Sequence, residues 1–237
     1  MKLFFLISSF LIITTILNAQ SLTGIQLLKK SIKYHDPDSH WNSFNGTLFM
    51  DQLDQDNKSR GTRTVKIDLP NRYFKLEQIR GGEIITREVT GDNCQNTYNG
   101  SNNISDDIIE KHQLNCERAT MYRDYFSYLY GLPMKLLDPG TIVHPQVRET
   151  TFQNNNCYSL KITYEKGVGE DTWYFYFGKS TFAMIGYQFF HDESKNDGEY
   201  ITLKGEMIIG GIVMPKDRHW YTNNENKFLG ADLLKKQ

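Results

Sequence analysis

Downstream of residue 20, apolar and polar side chains alternate along most of this chain with a period of two, and two stretches break that rhythm. The first is "SLTGIQLLKKSIKYHDP", residues 21–37, where Ile25, Leu28 and Ile32 form an apolar helical stripe interleaved with Lys29, Lys30 and Lys33. Pro37 ends it. "NGTLFMDQL", "GTRTVKIDLP", "NRYFKLEQI" and "GEIITREVT" then read as strands punctuated by Gly, Asn and Pro. Within them Val65, Ile67 and Leu69 alternate with Lys66 and Asp68, as a sheet with one dry face and one wet face requires.

The second break spans residues 105–130. Ser105 has the chemistry of an N-cap, and Asp106 and Asp107 complement the dipole of a first helical turn. A longer helix is predicted from about Glu117 to Tyr130, with Gly131 placed to stop it and Pro133 unable to continue it. Strand patterns then resume from "VRETTFQ" to "KFLGADLL". With nearly all connections of hairpin length, this predicts an α+β fold: one large curved antiparallel sheet, a half-barrel of about eleven strands, closed by helices. Nothing alternates strand with helix as a parallel sheet would, and no repeat or linker divides the chain.

The N-terminus has a different texture. Lys2 precedes an apolar run from Leu3 to Leu17, and small Ala19 stands before Gln20. That is the layout of a secretory signal peptide over residues 1–19, leaving a single domain over 20–237 that is exported to the periplasm or secreted. Ser8, Ser9, Thr14 and Thr15 dilute the run, so no stable membrane span is expected after cleavage. Of three cysteines, Cys94 and Cys116 flank one short helical segment and are the expected disulfide; Cys157 is left over as a buried thiol. Spacing alone does not fix that connectivity.

Charge narrows the partners. The formal net charge is −1, and −2 once Lys2 leaves with the leader, with no long basic run. Nucleic acid is therefore not an expected partner. The six histidines show no metal-ligand spacing, and no nucleophile elbow, phosphate-cradling glycine loop or Cys-x-x-Cys pair occurs. No metal, cofactor or catalytic residue is assigned. "HDESKNDGEY", residues 191–200, reads as a hairpin with an Asn-Asp-Gly turn; as a calcium loop it fails, because Asp197 stands where glycine is required. His191, Asp192 and Glu193 remain candidates for a polar rim, and the alternative reading is an enzyme using them as acid, base or metal ligands. Arg118 and Arg123 join that rim as helix arginines able to meet an acidic headgroup.

The aromatic residues carry the strongest signal. In "DTWYFYF", Trp173, Phe175 and Phe177 face one way and Tyr174 and Tyr176 the other, so the strand is covered on both sides or covers something. In the central helix, Tyr122, Phe126 and Leu129 form one stripe, and Met121, Tyr125, Tyr128 and Leu132 another. Together they exceed the ~100° apolar stripe of a surface helix. Its tyrosines need their hydroxyls satisfied, which points to an amphipathic wall.

The succession of a helix, "FNGTLFMD", "GTRTVKIDLP", "NRYFKLE" and a long antiparallel meander resembles the periplasmic lipoprotein carriers of the LolA/LolB type. "YHDP", "FNGTL", "RDYxxYLYGLPMKLxDPGT", "DTWYFYF" and "YQFFHDESKNDGEYI" are similar, over almost the whole mature chain, to an uncharacterised family of exported proteins of Bacteroidetes-type bacteria. The resemblance implies a hydrophobic cavity between curved sheet and helices, taking a lipid or the acyl chain of a lipoprotein, in a monomeric carrier. Phe44, Leu48, Val65, Ile67, Phe74, Leu76, Tyr122, Tyr125, Phe126 and Leu129 are the expected lining. The carriers latch their helical lid with an arginine just before the proline of a strand-like segment; "KIDLP" puts Leu69 there, so that residue is not carried over.

Overall fold

The structure, a computed structural model, describes residues 22–236. The leader expected over 1–19 lies outside the described residues. Helix α1 is Gly24–His35, capped by Thr23 and Gln26 in a reciprocal capping box. Strands β1 (Asn45–Leu53), β2 (Ser59–Asp68), β3 (Tyr73–Arg80), β4 (Glu83–Thr90) and β5 (Asn93–Tyr98) follow as hairpins. Helices α2 (Asp106–His112) and α3 (Cys116–Gly131) come next. Then β6 (Thr141–Phe152), β7 (Asn155–Tyr164), β8 (Thr172–Gly178), β9 (Met184–Phe190), β10 (Glu199–Ile209), β11 (Ile212–Thr222) and β12 (Phe228–Lys235) complete the chain.

Among the described residues, twelve strands form one antiparallel sheet in the order β5-β4-β3-β2-β1-β12-β11-β10-β9-β8-β7-β6. The chain builds outward from β1 to β5, restarts at the opposite edge with β6, and returns until β12 pairs with β1. That order dictates what α2 and α3 do. The segment between β5 and β6 has to carry the chain from one edge of the sheet to the other, and a flat sheet of this size would separate its edges by roughly 50 Å. Curvature brings the edges nearer, and α3, about 24 Å long, crosses the concave side.

The expected curved α+β sheet is therefore present, with twelve strands instead of about eleven. The additional one is β5, "NCQNTY", an edge strand whose polar composition hides it from a pattern search. Its Cys94 is bonded to Cys116 at the start of α3, with the Cα atoms 5.5 Å apart, and Cys157 is a buried free thiol. Opposite, Pro145 sits on edge strand β6 at a bulge between Val143 and Val147, where a missing N–H is tolerated.

The interior forms between the concave face and the helices. Leu48 and Met50 of β1, Val65 and Ile67 of β2, Phe74 and Leu76 of β3, Leu160 and Ile162 of β7, and Phe175 and Phe177 of β8 all belong to one buried cluster. Beneath α3, Phe126 stacks with Phe74, Tyr122 and Tyr130 at centroid distances of 6.1–6.3 Å. The expected role of Gly131 changes. It is the last residue of α3, not the residue after it, and a Cβ there would come within 2.3 Å of Cζ2 of Trp41, so its small size admits the indole. On β8, Tyr176 faces away from the core and stacks on Phe152 at 4.1 Å, which covers the strand's second greasy face.

Candidate functional site

Helix α3 is capped by Asn115, whose side chain accepts from the Arg118 N–H at 2.8 Å. Its buried stripe is narrow: Ala119, Phe126, Leu129, Tyr130 and Gly131. Tyr122, Tyr125 and Tyr128 follow one another at intervals of three, so each ring is turned by about 60° from the last. They fan out along the flanks of the helix, and each walls a different hollow.

Tyr128 borders a hollow of about 440 Å³ with Trp173, Tyr164, Val168 and a rim of Asp124, Asp138, Glu170 and Asp171. Its hydroxyl is hydrogen-bonded to that of Tyr164. Burial raises the pKa of both phenols, so they stay protonated and the wall stays neutral. Tyr125 borders a hollow of about 300 Å³ with Arg63, Asp232, Glu199 and Trp220. About 40% of Tyr125 is open to solvent, and burial of the rest raises its pKa. Tyr122 borders a hollow of about 620 Å³ with Arg80, Arg87, Lys111 and Arg118.

Between these hollows lie charged groups that the sequence motifs do not single out. Arg218 of β11 is fully buried; its Nη2 donates to the carbonyl of Leu129 on α3 at 3.3 Å, and its guanidinium lies 4.0 Å from the centre of the Tyr130 ring. Asp232 of β12 accepts from Gln52 Nε2 at 2.9 Å and lies 3.8 Å from Arg63. Among the described residues, the Tyr187 hydroxyl and Nε of Arg63 and Arg218 have no hydrogen-bond partner. Strand periodicity could have flagged three of them. Arg63 is in phase with Val65 and Ile67, Arg87 with Val89, and Asp232 with Leu234, all dry-face positions.

The expected lining residues divide. Phe44, Leu48, Val65, Ile67, Phe74, Leu76, Phe126 and Leu129 are at most 5% exposed and pack against one another. Tyr122 and Tyr125 alone of the ten wall the three hollows beside α3. Leu69, the position of the missing latch arginine, packs on the core, and an arginine that hydrogen-bonds the α3 backbone comes from β11 instead.

The expected polar rim divides too. Arg118 enters the Tyr122 hollow, whereas Arg123 turns away to pair with Asp124 at 2.8 Å. His191 is exposed and bonded to Asp171 at 2.6 Å, on the edge of the Tyr128 hollow; that carboxylate raises its pKa. Asp192 accepts from Ser194 in a short 3-10 turn. Glu193 accepts from Lys161 at 2.8 Å and from the Tyr174 hydroxyl at 2.6 Å. The three side chains point to separate partners and make no common site. Among the described residues no cluster of His, Cys, Asp and Glu is arranged to hold a metal, and no helix is long and apolar enough to cross a membrane.

Comparison with solved structures places this architecture. The chain is similar to a LolA superfamily protein from Nitrosomonas europaea, at TM-score 0.51 and 11% identity, covering 91% of this chain and 93% of that one. It is also similar to a domain described as outer membrane lipoprotein-sorting, from Vibrio parahaemolyticus (TM-score 0.49, 7% identity, 90% and 92% covered). A DUF1329 family protein from Desulfovibrio piger gives TM-score 0.45 and 12% identity over 90% of each chain. At such identities the first likeness establishes the fold alone, a LolA-like sheet with helices. No curated protein matches the chain. The family model described as "Family of unknown function (DUF6503)" matches residues 1–236, and the chain belongs to that family.

Proposed function

We propose that the protein is a periplasmic or secreted carrier that binds an apolar or amphiphilic ligand, a lipid or the acyl chain of a lipoprotein, between its curved sheet and α3. The observation that carries this reading is the fan of tyrosines, each walling a hollow beside a helix that crosses an apolar concave face. A tyrosine wall offers an apolar ring to a hydrocarbon chain and a hydroxyl to the headgroup or water. The hollow at Tyr128 and Trp173, about 440 Å³, falls within the range of small-molecule sites.

The packed interior sets the energetics. Lifting Phe126, Leu129 and Tyr130 off the sheet exposes three side chains worth ~1.5–3 kcal/mol each, or roughly 5–9 kcal/mol together. A chain that buries about ten methylenes in their place gains ~8 kcal/mol. The two magnitudes match, which suits a carrier that must both take up and give back its ligand. The expected leader and the Cys94–Cys116 bond support an oxidising compartment. The acid–base reading of His191, Asp192 and Glu193 draws no support from their divergent partners.

Organic extraction of protein purified without detergent, followed by lipid mass spectrometry, tests the proposal. A stoichiometric acyl-bearing amphiphile is expected. Protein that carries no amphiphile and takes none up from added lysophospholipid would remove the carrier reading.

A further inference from the structure

The hollow at Tyr122 differs in kind from the other two. It is roofed by α2 and the first turns of α3 and floored by β3 and β4, and four cationic side chains line it, Arg80, Arg87, Lys111 and Arg118, against the single carboxylate of Glu83. Glu83 is already engaged, accepting from Lys111 at 3.0 Å and from the Tyr98 hydroxyl at 2.9 Å. Among the described residues, Arg80, Arg87 and Arg118 form no ion pair.

Arg87 is the telling residue. It is 3% exposed, on the dry face of β4. Its Nη1 donates to Gln78 Oε1 and its Nη2 to the carbonyl of His112, each at 2.7 Å, and its Nε has no partner. All its polar partners are neutral. A second guanidinium, that of Arg118, shares the ring of Tyr122 with it, at 5.0 Å from the centroid against 5.1 Å for Arg87. Burial, with the like charges of Arg118 and Arg63, lowers the Arg87 pKa from its ordinary value. A buried cation without a carboxylate, beside further cations in a roofed hollow of about 620 Å³, is unfavourable unless an anion joins it.

We propose that this hollow is a binding site for an oxyanion, a phosphate group taken as a lipid phosphodiester or as a soluble phosphate. The guanidinium groups of Arg118 and Arg80 and the Lys111 ammonium supply donors suited to several oxygens of one tetrahedral anion, with the Arg87 guanidinium as the buried charge behind them. Cys116, at the start of α3, is bonded to Cys94 of β5, the strand next to the floor, so the roof is tied covalently to the same sheet. It goes beyond the carrier reading and does not depend on it, because a soluble phosphate fills it without any acyl chain.

The test is calorimetric titration of the whole exported protein with inorganic phosphate in one arm and dihexanoyl phosphatidylglycerol, below its micelle concentration, in the other. Saturable binding in either arm is expected, weakening about tenfold or more in Arg118→Gln and in Arg80→Gln, and weakening with added sodium chloride. Tighter binding of the lipid than of phosphate assigns a headgroup site; the reverse assigns a soluble ligand. Arg87→Gln should abolish binding. Since a buried substitution is able to unfold the protein, the two rim variants, checked by circular dichroism, are the deciding ones. Binding in neither arm, or unchanged affinity in both folded rim variants, overturns the proposal.

Discussion

At its N-terminal end α3 is bonded through Cys116 to Cys94 of β5 and lays Tyr122 against two guanidinium groups; at its C-terminal end it buries Phe126, Leu129, Tyr130 and Gly131 in hydrocarbon. The first attachment is covalent and polar. The second consists of packing, with Arg218 adding a hydrogen bond to the Leu129 carbonyl. The surroundings differ in the same sense: the hollow at Tyr122 is rich in arginine, and the one at Tyr128 is rimmed by four carboxylates, with Lys135 paired to Asp138. Under the proposed function, an apolar ligand competes with the packed end of the helix and leaves the stapled end alone. Packing is exchangeable for other packing, whereas a disulfide is not.

Breaking the packed end carries the largest expected effect. Phe126→Ala removes a fully buried ring stacked with three others and should cost about 3–5 kcal/mol, read from urea denaturation of the oxidised protein. Releasing the stapled end is next. Cys94→Ser with Cys116→Ser opens a loop of sequence separation 22 and should cost ~3 kcal/mol, and the wild type under reducing conditions should match the variant. If the variant loses nothing, the N-terminal end is held by its polar contacts alone.

A smaller effect probes where the helix meets Trp41. Gly131→Ala places a methyl within 2.3 Å of the indole and should cost about 1–3 kcal/mol by overpacking, with changed tryptophan emission. The smallest concerns His35 of α1, a polar lock set inside the core. Its Nδ1–H donates to Val213 O at 2.6 Å and its Nε2 accepts from the Met184 N–H at 2.9 Å, so the ring is neutral, and burial lowers its pKa below 6.5. A depressed folded pKa means the contribution is complete above 6.5 and is lost as pH falls through that value towards the folded pKa. Denaturation midpoints should be flat above neutrality and decline on the acid side, with a shallower decline in His35→Gln.

What was legible in the sequence follows from which physics leaves a period behind. Val65, Ile67 and Leu76 sit in strands because β-branched and apolar residues recur every second position, and the curved sheet with helices on one side followed from hairpin-length connections. Strand β5 escaped because an edge strand need not be apolar. The greasy helix was legible as a helix; the division of its rings was not. Phe126 packs while Tyr122, Tyr125 and Tyr128 reach hollows, a distinction set by a few tens of degrees around the helix and by partners from distant strands. Arg87 and Asp232 were visible in phase with dry-face neighbours, but their meaning depends on what lies across the interior. His191, Asp192 and Glu193 are adjacent in sequence and separate in space, since a strand end and a 3-10 turn point them apart.

The measurement that bears most directly on the central claim is a titration of methyl-labelled protein with a single-chain lysophospholipid, followed by carbon–proton correlation spectroscopy. Entry of the chain between α3 and the sheet should shift the methyl signals of Leu129 and of Leu48, Val65 and Ile67 beneath it, all at most 5% exposed in the ligand-free protein. Shifts confined to exposed methyls such as those of Ile208, 72% open to solvent, with the interior unmoved, would contradict it.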